Sequence, residues 1–235
     1  MIFDPMYFVF LIPGLILTIW AQSRVKGSYA KYSKVRNDVN MTGAQVARRI
    51  LDSNGLQNVP VEHVRGELTD HYDPTKRALF LSDGVYGTPS IAAMGIAAHE
   101  VGHALQHAQA YAPLKFRTAI VPAVNIGSQL GIFVLIAGIF LQVTGLAWAG
   151  VALFALSTVF ALITLPVEFD ASRRAKQQLV NLGLVDGGLQ QGQEGRGVAS
   201  VLNAAAWTYV AGFATSLLSL LYYVSLVSGM SRDDR

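Results

Sequence analysis

Four runs of apolar, uncharged residues, at positions 5–22, 118–141, 146–167 and 199–230, constrain this chain more than any other feature. Each is as long as the roughly 17 or more residues that a helix needs to cross a hydrocarbon core. Hydrophobic types make up 52% of the 235 residues and charged types 14%, against about a quarter charged in ordinary soluble domains. Lipid is therefore part of the solvent, and the sequence predicts a mainly α-helical protein with four spans. The first run follows Asp4, its basic flank comes after it, and no small-residue cleavage pattern closes it, so it reads as a retained anchor rather than a signal peptide.

Lys and Arg near the span ends set the expected orientation. Arg24, Lys26, Lys31, Lys34 and Arg36 follow the first run, Lys115 and Arg117 precede the second, and Arg173, Arg174 and Lys176 follow the third. The turn at 142–145 is uncharged. That side is expected to be cytoplasmic, with both termini outside, in a multi-pass protein of the cell membrane. The net charge of +3 is spread over a membrane protein, which argues against a nucleic-acid partner. With no cysteine in the chain, any metal must be held by His, Asp or Glu.

The expected organisation is an anchor at 1–22, a cytoplasmic lobe at 23–117, a transmembrane hairpin at 118–167, a cytoplasmic helix and loop at 168–198, and a last span with its tail at 199–235. Within the lobe, Thr42 is placed to cap a helix carrying Val46, Ala47, Ile50 and Leu51 on one face. Stretches 59–68 and 78–82 are β-compatible and flank a turn-rich segment at 69–74, which predicts a small hairpin or edge-strand pair. Thr88 and Pro89 read as the cap and first turn of a helix over 89–107. Residues 181–197, rich in Gly and Gln, read as a mobile loop.

That helix contains His99-Glu100-Val101-Gly102-His103, an HExxH pattern whose histidines lie four apart on one face. Two imidazoles so placed chelate one zinc ion, and a neighbouring carboxylate, Glu100, takes the proton of an attacking water as general base. A third ligand must reach the same depth from elsewhere. Glu168 qualifies, because it leaves the third apolar run at the end that a helical hairpin returns to the motif helix, where an ionisable group is costly without a partner. His107 lies on the same face but about 12 Å along the axis from His99, so it reads as a wall of the cleft. His71, Tyr72, Arg173 and Arg174 are candidates for polarising a scissile carbonyl.

These residues resemble a known family, the YugP-like neutral zinc metallopeptidases, more distantly akin to the HtpX-type membrane proteases and the CAAX-processing zinc proteases. The resemblance is carried by Leu68-Thr-Asp-His-Tyr-Asp-Pro74, by Leu81-Ser82 and Val85-Tyr86, and by Ser90-Ile91-Ala92-Ala93. Most specific are Ala97-Ala98-His99-Glu100-Val101-Gly102-His103-Ala104-Leu105-Gln106 and Pro166-Val167-Glu168-Phe169-Asp170-Ala171-Ser172-Arg173-Arg174-Ala175.

It implies a small α+β zincin-like lobe around the HExxH helix, one Zn2+ per chain on His99, His103 and Glu168, Glu100 as base, and gluzincin-like endopeptidase activity on protein or peptide substrates at the cytoplasmic face. The distant relatives carry Asp where this chain has Ser172, and Asp170 is the expected substitute. The lipid bilayer is an expected partner, and a regulatory membrane protein or further copies of the chain are others that such a protein admits. Two rival readings remain. A site-2-type intramembrane protease would take its third ligand from Asp186-Gly187, and a catalytically silent scaffold or metal-binding membrane protein would keep the fold without the reaction.

Overall fold

A computed structural model describes residues 5–185, 189 and 192–233. Its elements run α1 (Pro5–Tyr32), α2 (Gly43–Ser53), β1 (Val61–His63), β2 (His71–Asp73), β3 (Ala78–Leu81), α3 (Asp83–Tyr86), α4 (Ile91–Ala108), α5 (Ala112–Phe140), α6 (Thr144–Asn181) and α7 (Gly192–Asp233). Among the described residues, the fold is mainly helical, and α1, α5, α6 and α7 are long and apolar enough to cross a membrane. The chain divides into two compact units.

The first unit comprises Met1–Ala21, Lys115–Pro166 and Thr208–Arg235, which carry the apolar parts of those long helices. Ile126, Phe133 and Phe140 are apolar and exposed, which fits helices long and apolar enough to cross a membrane. Small residues set the helix contacts. A Cβ on Gly131 would lie 2.7 Å from the backbone nitrogen of Phe154, and one on Gly14 would lie 3.2 Å from the Thr215 Cα. Hydroxyls supply the polar links: Thr215 donates to the Gly14 carbonyl at 3.1 Å, and Thr158 and Ser216 share a bond of 2.8 Å. The glycines at 131 and 138 thus serve contacts between α5 and α6 of one chain.

The second unit comprises Gln22–Leu114 and Val167–Trp207. Its core is built on α2, β3, α4 and the neighbouring turns of α6 and α7, with Ile50, Leu51, Leu79, Leu81, Met94, Leu179 and Leu202 buried. Thr42 caps α2 in a full capping box with Gln45, as its position before an amphipathic run requires. Helix α4 is apolar nearly all round and is correspondingly enclosed: its residues from Ile91 to Gln106 are buried apart from Ile96.

Three features depart from the sequence expectations. Helix α4 starts at Ile91 rather than in the Thr88-Pro89 turn, because Ser90 is the cap and accepts from the Ala93 N–H at 3.1 Å, while the Pro89 carbonyl accepts from Asn37. The turn-rich segment contains a strand: β2 pairs antiparallel with β3, while β1 pairs parallel with β3, giving the order β1-β3-β2. Residues 192–197 belong to α7, where Glu194 in the first turn accepts from the Asp38 N–H at 3.0 Å. Asp186 and Gly187 lie outside the described residues.

Candidate metal centre

The small residues of α4 determine how close it comes to α6. A Cβ on Gly102 would lie 2.5 Å from the carbonyl oxygen of Ala171, so the two backbones touch at this point and any side chain would force them apart. One residue either side of that contact stand Val101, in the core, and His103, whose ring is turned toward α6. His99 lies one turn earlier on the same face.

Across from them is Glu168. Its Oε2 lies 3.2 Å from His99 Nε2 and 3.5 Å from His103 Nε2. The three side chains offer one ligand atom each, and these atoms lie within 4.8 Å of one another. Only 2% of Glu168 is exposed. Burial pushes its carboxyl pKa up, but the bonds to His103 and His99 outweigh that and hold it well below the ordinary carboxylate range. Burial likewise works against a charged His103, and the Glu168 carboxylate overrides it, raising the imidazole's affinity for a proton. An anionic oxygen and two imidazole nitrogens therefore compete here for a shared positive charge.

The far side of each ring is also held. Gln106 Nε2 donates to the Val167 carbonyl at 2.7 Å and to Asp170 Oδ2 at 3.0 Å. With both amide hydrogens committed, Gln106 Oε1 is fixed as an acceptor, and it lies 3.1 Å from His103 Nδ1. A neutral His103 then carries its proton on Nδ1, so that Nε2 turns a lone pair to the cluster once the proton it shares with Glu168 is gone. His99 Nδ1 lies 3.0 Å from the Ser172 hydroxyl, which can accept in the same way. Asp170 is itself tied to Arg173 and Arg174. This arrangement orients imidazole for a metal, and the donor set, two nitrogens and one carboxylate oxygen, suits zinc with a position left for a reactant.

The remaining sequence candidates fall in several places. Ser172 and Asp170 both stand behind the histidines, Ser172 directly and Asp170 through Gln106. Arg173 and Arg174 are committed to Asp170, and Arg174 also donates to Gln109 and lies over the Tyr111 ring. Tyr72 reaches the motif helix, where its hydroxyl and His107 Nδ1 share a bond of 2.8 Å. His71, next to Tyr72 in β2, points to the opposite face, stacks on Phe80 and has its Nδ1 2.8 Å from the Thr69 carbonyl. Glu100 is buried beside His99 and near enough to His103 to favour its protonation. Gln106 was missed as a positioning residue. Its signal was a further polar residue one helical turn beyond His103, in a helix whose other polar side chains are the motif and His107, a signal that acquires meaning only when α6 is in place.

A family described as "Putative neutral zinc metallopeptidase" matches residues 7–228 of the chain. The chain belongs to this family. Among curated proteins, the "Putative membrane protease YugP" of Bacillus subtilis (strain 168) is 50% identical over 222 residues, covering 94% of this chain and 96% of that protein. No solved structure matches. The family's zinc has, in His99, His103 and Glu168, a set of side chains that could hold it.

Proposed function

We propose that the protein is a gluzincin-like membrane metalloendopeptidase that hydrolyses peptide bonds of membrane-associated or cytoplasmic-face proteins, with one zinc on His99, His103 and Glu168. The observation that carries this reading is the double fixing of each histidine, Nδ1 anchored behind and Nε2 aimed at Glu168 Oε2. A histidine pair that served only to fill a helix contact would not need a committed acceptor behind His103. When bound, zinc supplies a Lewis acid that makes water nucleophilic near neutral pH and polarises a carbonyl. Glu100 accepts the proton of the attacking water at its carboxylate and later delivers it to the leaving amine. Gln106, Asp170 and Ser172 keep both imidazoles in one orientation throughout.

The substrate backbone has a place to lie. In the order β1-β3-β2, strand β2 has an edge that no strand pairs with among the described residues, and Tyr72 on that strand reaches His107 of α4. An extended peptide added to this edge presents its carbonyls along the motif helix. The basic residues flanking the apolar runs support a cytoplasmic position for this lobe.

The test compares wild type, Glu100→Gln and Glu168→Ala, purified in detergent, for zinc content and for cleavage of a quenched peptide library. Glu100→Gln is expected to keep about one zinc per chain and lose cleavage, and Glu168→Ala to lose zinc and cleavage together. Cleavage retained by Glu100→Gln would refute its role as base; zinc retained by Glu168→Ala would return the third ligand to another residue.

A further inference from the structure

One helical turn beyond His103, a cavity of about 210 Å³ opens beside α4. Pockets for drug-sized ligands run to ~300–1,000 Å³, so this one suits a single amino-acid side chain or chain end. Leu56, Val59 and Ala104 give it an apolar side; Tyr72, Arg77 and His107 give it a polar one. The walls are set in advance. Arg48 donates to the carbonyls of Val59 at 2.7 Å and Leu56 at 2.8 Å, and Tyr72 is bonded to His107.

Arg77 carries the one permanent charge among the residues lining this cavity, and among the described residues its guanidinium has no carboxylate partner. Its backbone is unusual as well. At φ 52° it occupies the left-handed region at the end of the β2–β3 turn, where glycine would sit without strain. The turn itself is secured by Asp73, whose Oδ1 accepts from the N–H groups of Thr75 and Lys76. A strained position given to a long, unpaired cation points to a use for the side chain.

We propose that this cavity is a specificity pocket in which Arg77 receives a carboxylate of the substrate chain, from an Asp or Glu side chain or from the peptide's C-terminus. The proposal rests on the metallopeptidase reading. His107 lies about 6 Å along α4 from His103, and an extended chain advances about 3.4 Å per residue. A peptide with its scissile carbonyl at the His99, His103 and Glu168 cluster therefore brings the side chain of a residue within about two positions of that bond to Arg77. The guanidinium can donate to both carboxylate oxygens in a fork.

The test uses the full chain in detergent with Glu100→Gln, so that peptide binds without turnover, and reads fluorescence anisotropy. Labelled peptides carry Glu, Gln or Lys at each position in turn, with free or amidated C-termini. At one position Glu is expected to bind about tenfold tighter than Gln; a preference for the free over the amidated terminus instead assigns the terminal carboxylate. Adding Arg77→Gly is expected to abolish the preference without lowering Tm, since glycine relieves the strained backbone, and Arg77→Glu is expected to favour Lys. Equal binding of Glu, Gln and both terminal forms, a preference that survives Arg77→Gly, or failure of every peptide to bind would each overturn the pocket. Selective binding with no cleavage by the unmodified chain would instead count against the metallopeptidase reading.

Discussion

The side-chain amide of Gln106 is wholly buried and engages three groups at once, the Val167 carbonyl, Asp170 and His103 Nδ1. Leucine at this position would fill much the same volume and supply none of these bonds. Asp170 would keep its two arginines, but His103 would lose the acceptor that fixes its tautomer. Gln106→Leu is therefore expected to lower zinc affinity by roughly 10–100-fold with all three ligands intact, and to cost about 1–3 kcal/mol of stability through the buried groups left unmatched. Chelator competition and thermal unfolding of the loaded and stripped protein measure the two effects separately. Ser172→Ala should have a smaller effect on affinity, because a water can replace a hydroxyl more readily than it can replace an amide held at three points. An unchanged zinc affinity in Gln106→Leu would reduce Gln106 to a packing residue.

At the scale of elements, the site depends on the approach of α4 to α6, and two glycines on the same helix separate that requirement from helix propensity. Gly102 faces the Ala171 carbonyl with no room for a Cβ, whereas a Cβ on Gly95 would meet Val198 at an ordinary 3.7 Å. Gly95→Ala is expected to hold stability or raise it by about 0.5–1 kcal/mol, the usual gain of alanine over glycine in a helix. Gly102→Ala is expected to lower it by about 1–3 kcal/mol as the helices separate, and to weaken zinc binding because Glu168 retreats from both histidines. Thermal melts of the two variants, with zinc titrations, test the contrast. The sequence made much of this legible. Uncharged length marks a span because lipid offers no partner for a charge, and the HExxH spacing marks a helix face whatever surrounds it. Strand β2 was hidden because three residues are too few to show alternation, and its Asp73 and the following Pro74 signal a turn equally well. The start of α7 was obscured by Gly192, Gly195 and Gly197, whose low propensity is overridden by tertiary contact; a Cβ on Gly197 would meet Tyr32 at 2.8 Å. The support of His103 by Asp170 through Gln106 was illegible for a different reason: it joins residues 64 positions apart, and no local pattern encodes that.

For the whole molecule, connectivity gives a prediction that needs no knowledge of substrate. A chain that crosses a bilayer four times, once in each of α1, α5, α6 and α7, returns segments 22–114 and 167–207 to the same side and puts the turn between α5 and α6 on the other. On the proposed reading, the flanking Lys and Arg are expected to keep the first side cytoplasmic. Because the chain has no cysteine, a single introduced thiol reports its own location. Val143 is exposed in the turn between α5 and α6, and Lys76 is exposed in the turn between β2 and β3, so cysteine at either position disturbs no core. In intact cells a membrane-impermeant maleimide is expected to label Val143→Cys, and to label Lys76→Cys only after permeabilisation. The reverse pattern would place the metal centre outside the cell and with it the proteins it could reach, leaving the chemistry of His99, Glu100, His103 and Glu168 untouched. Labelling of both in intact cells would contradict four crossings, since an odd number of membrane passages between residues 76 and 143 is what keeps the two thiols apart.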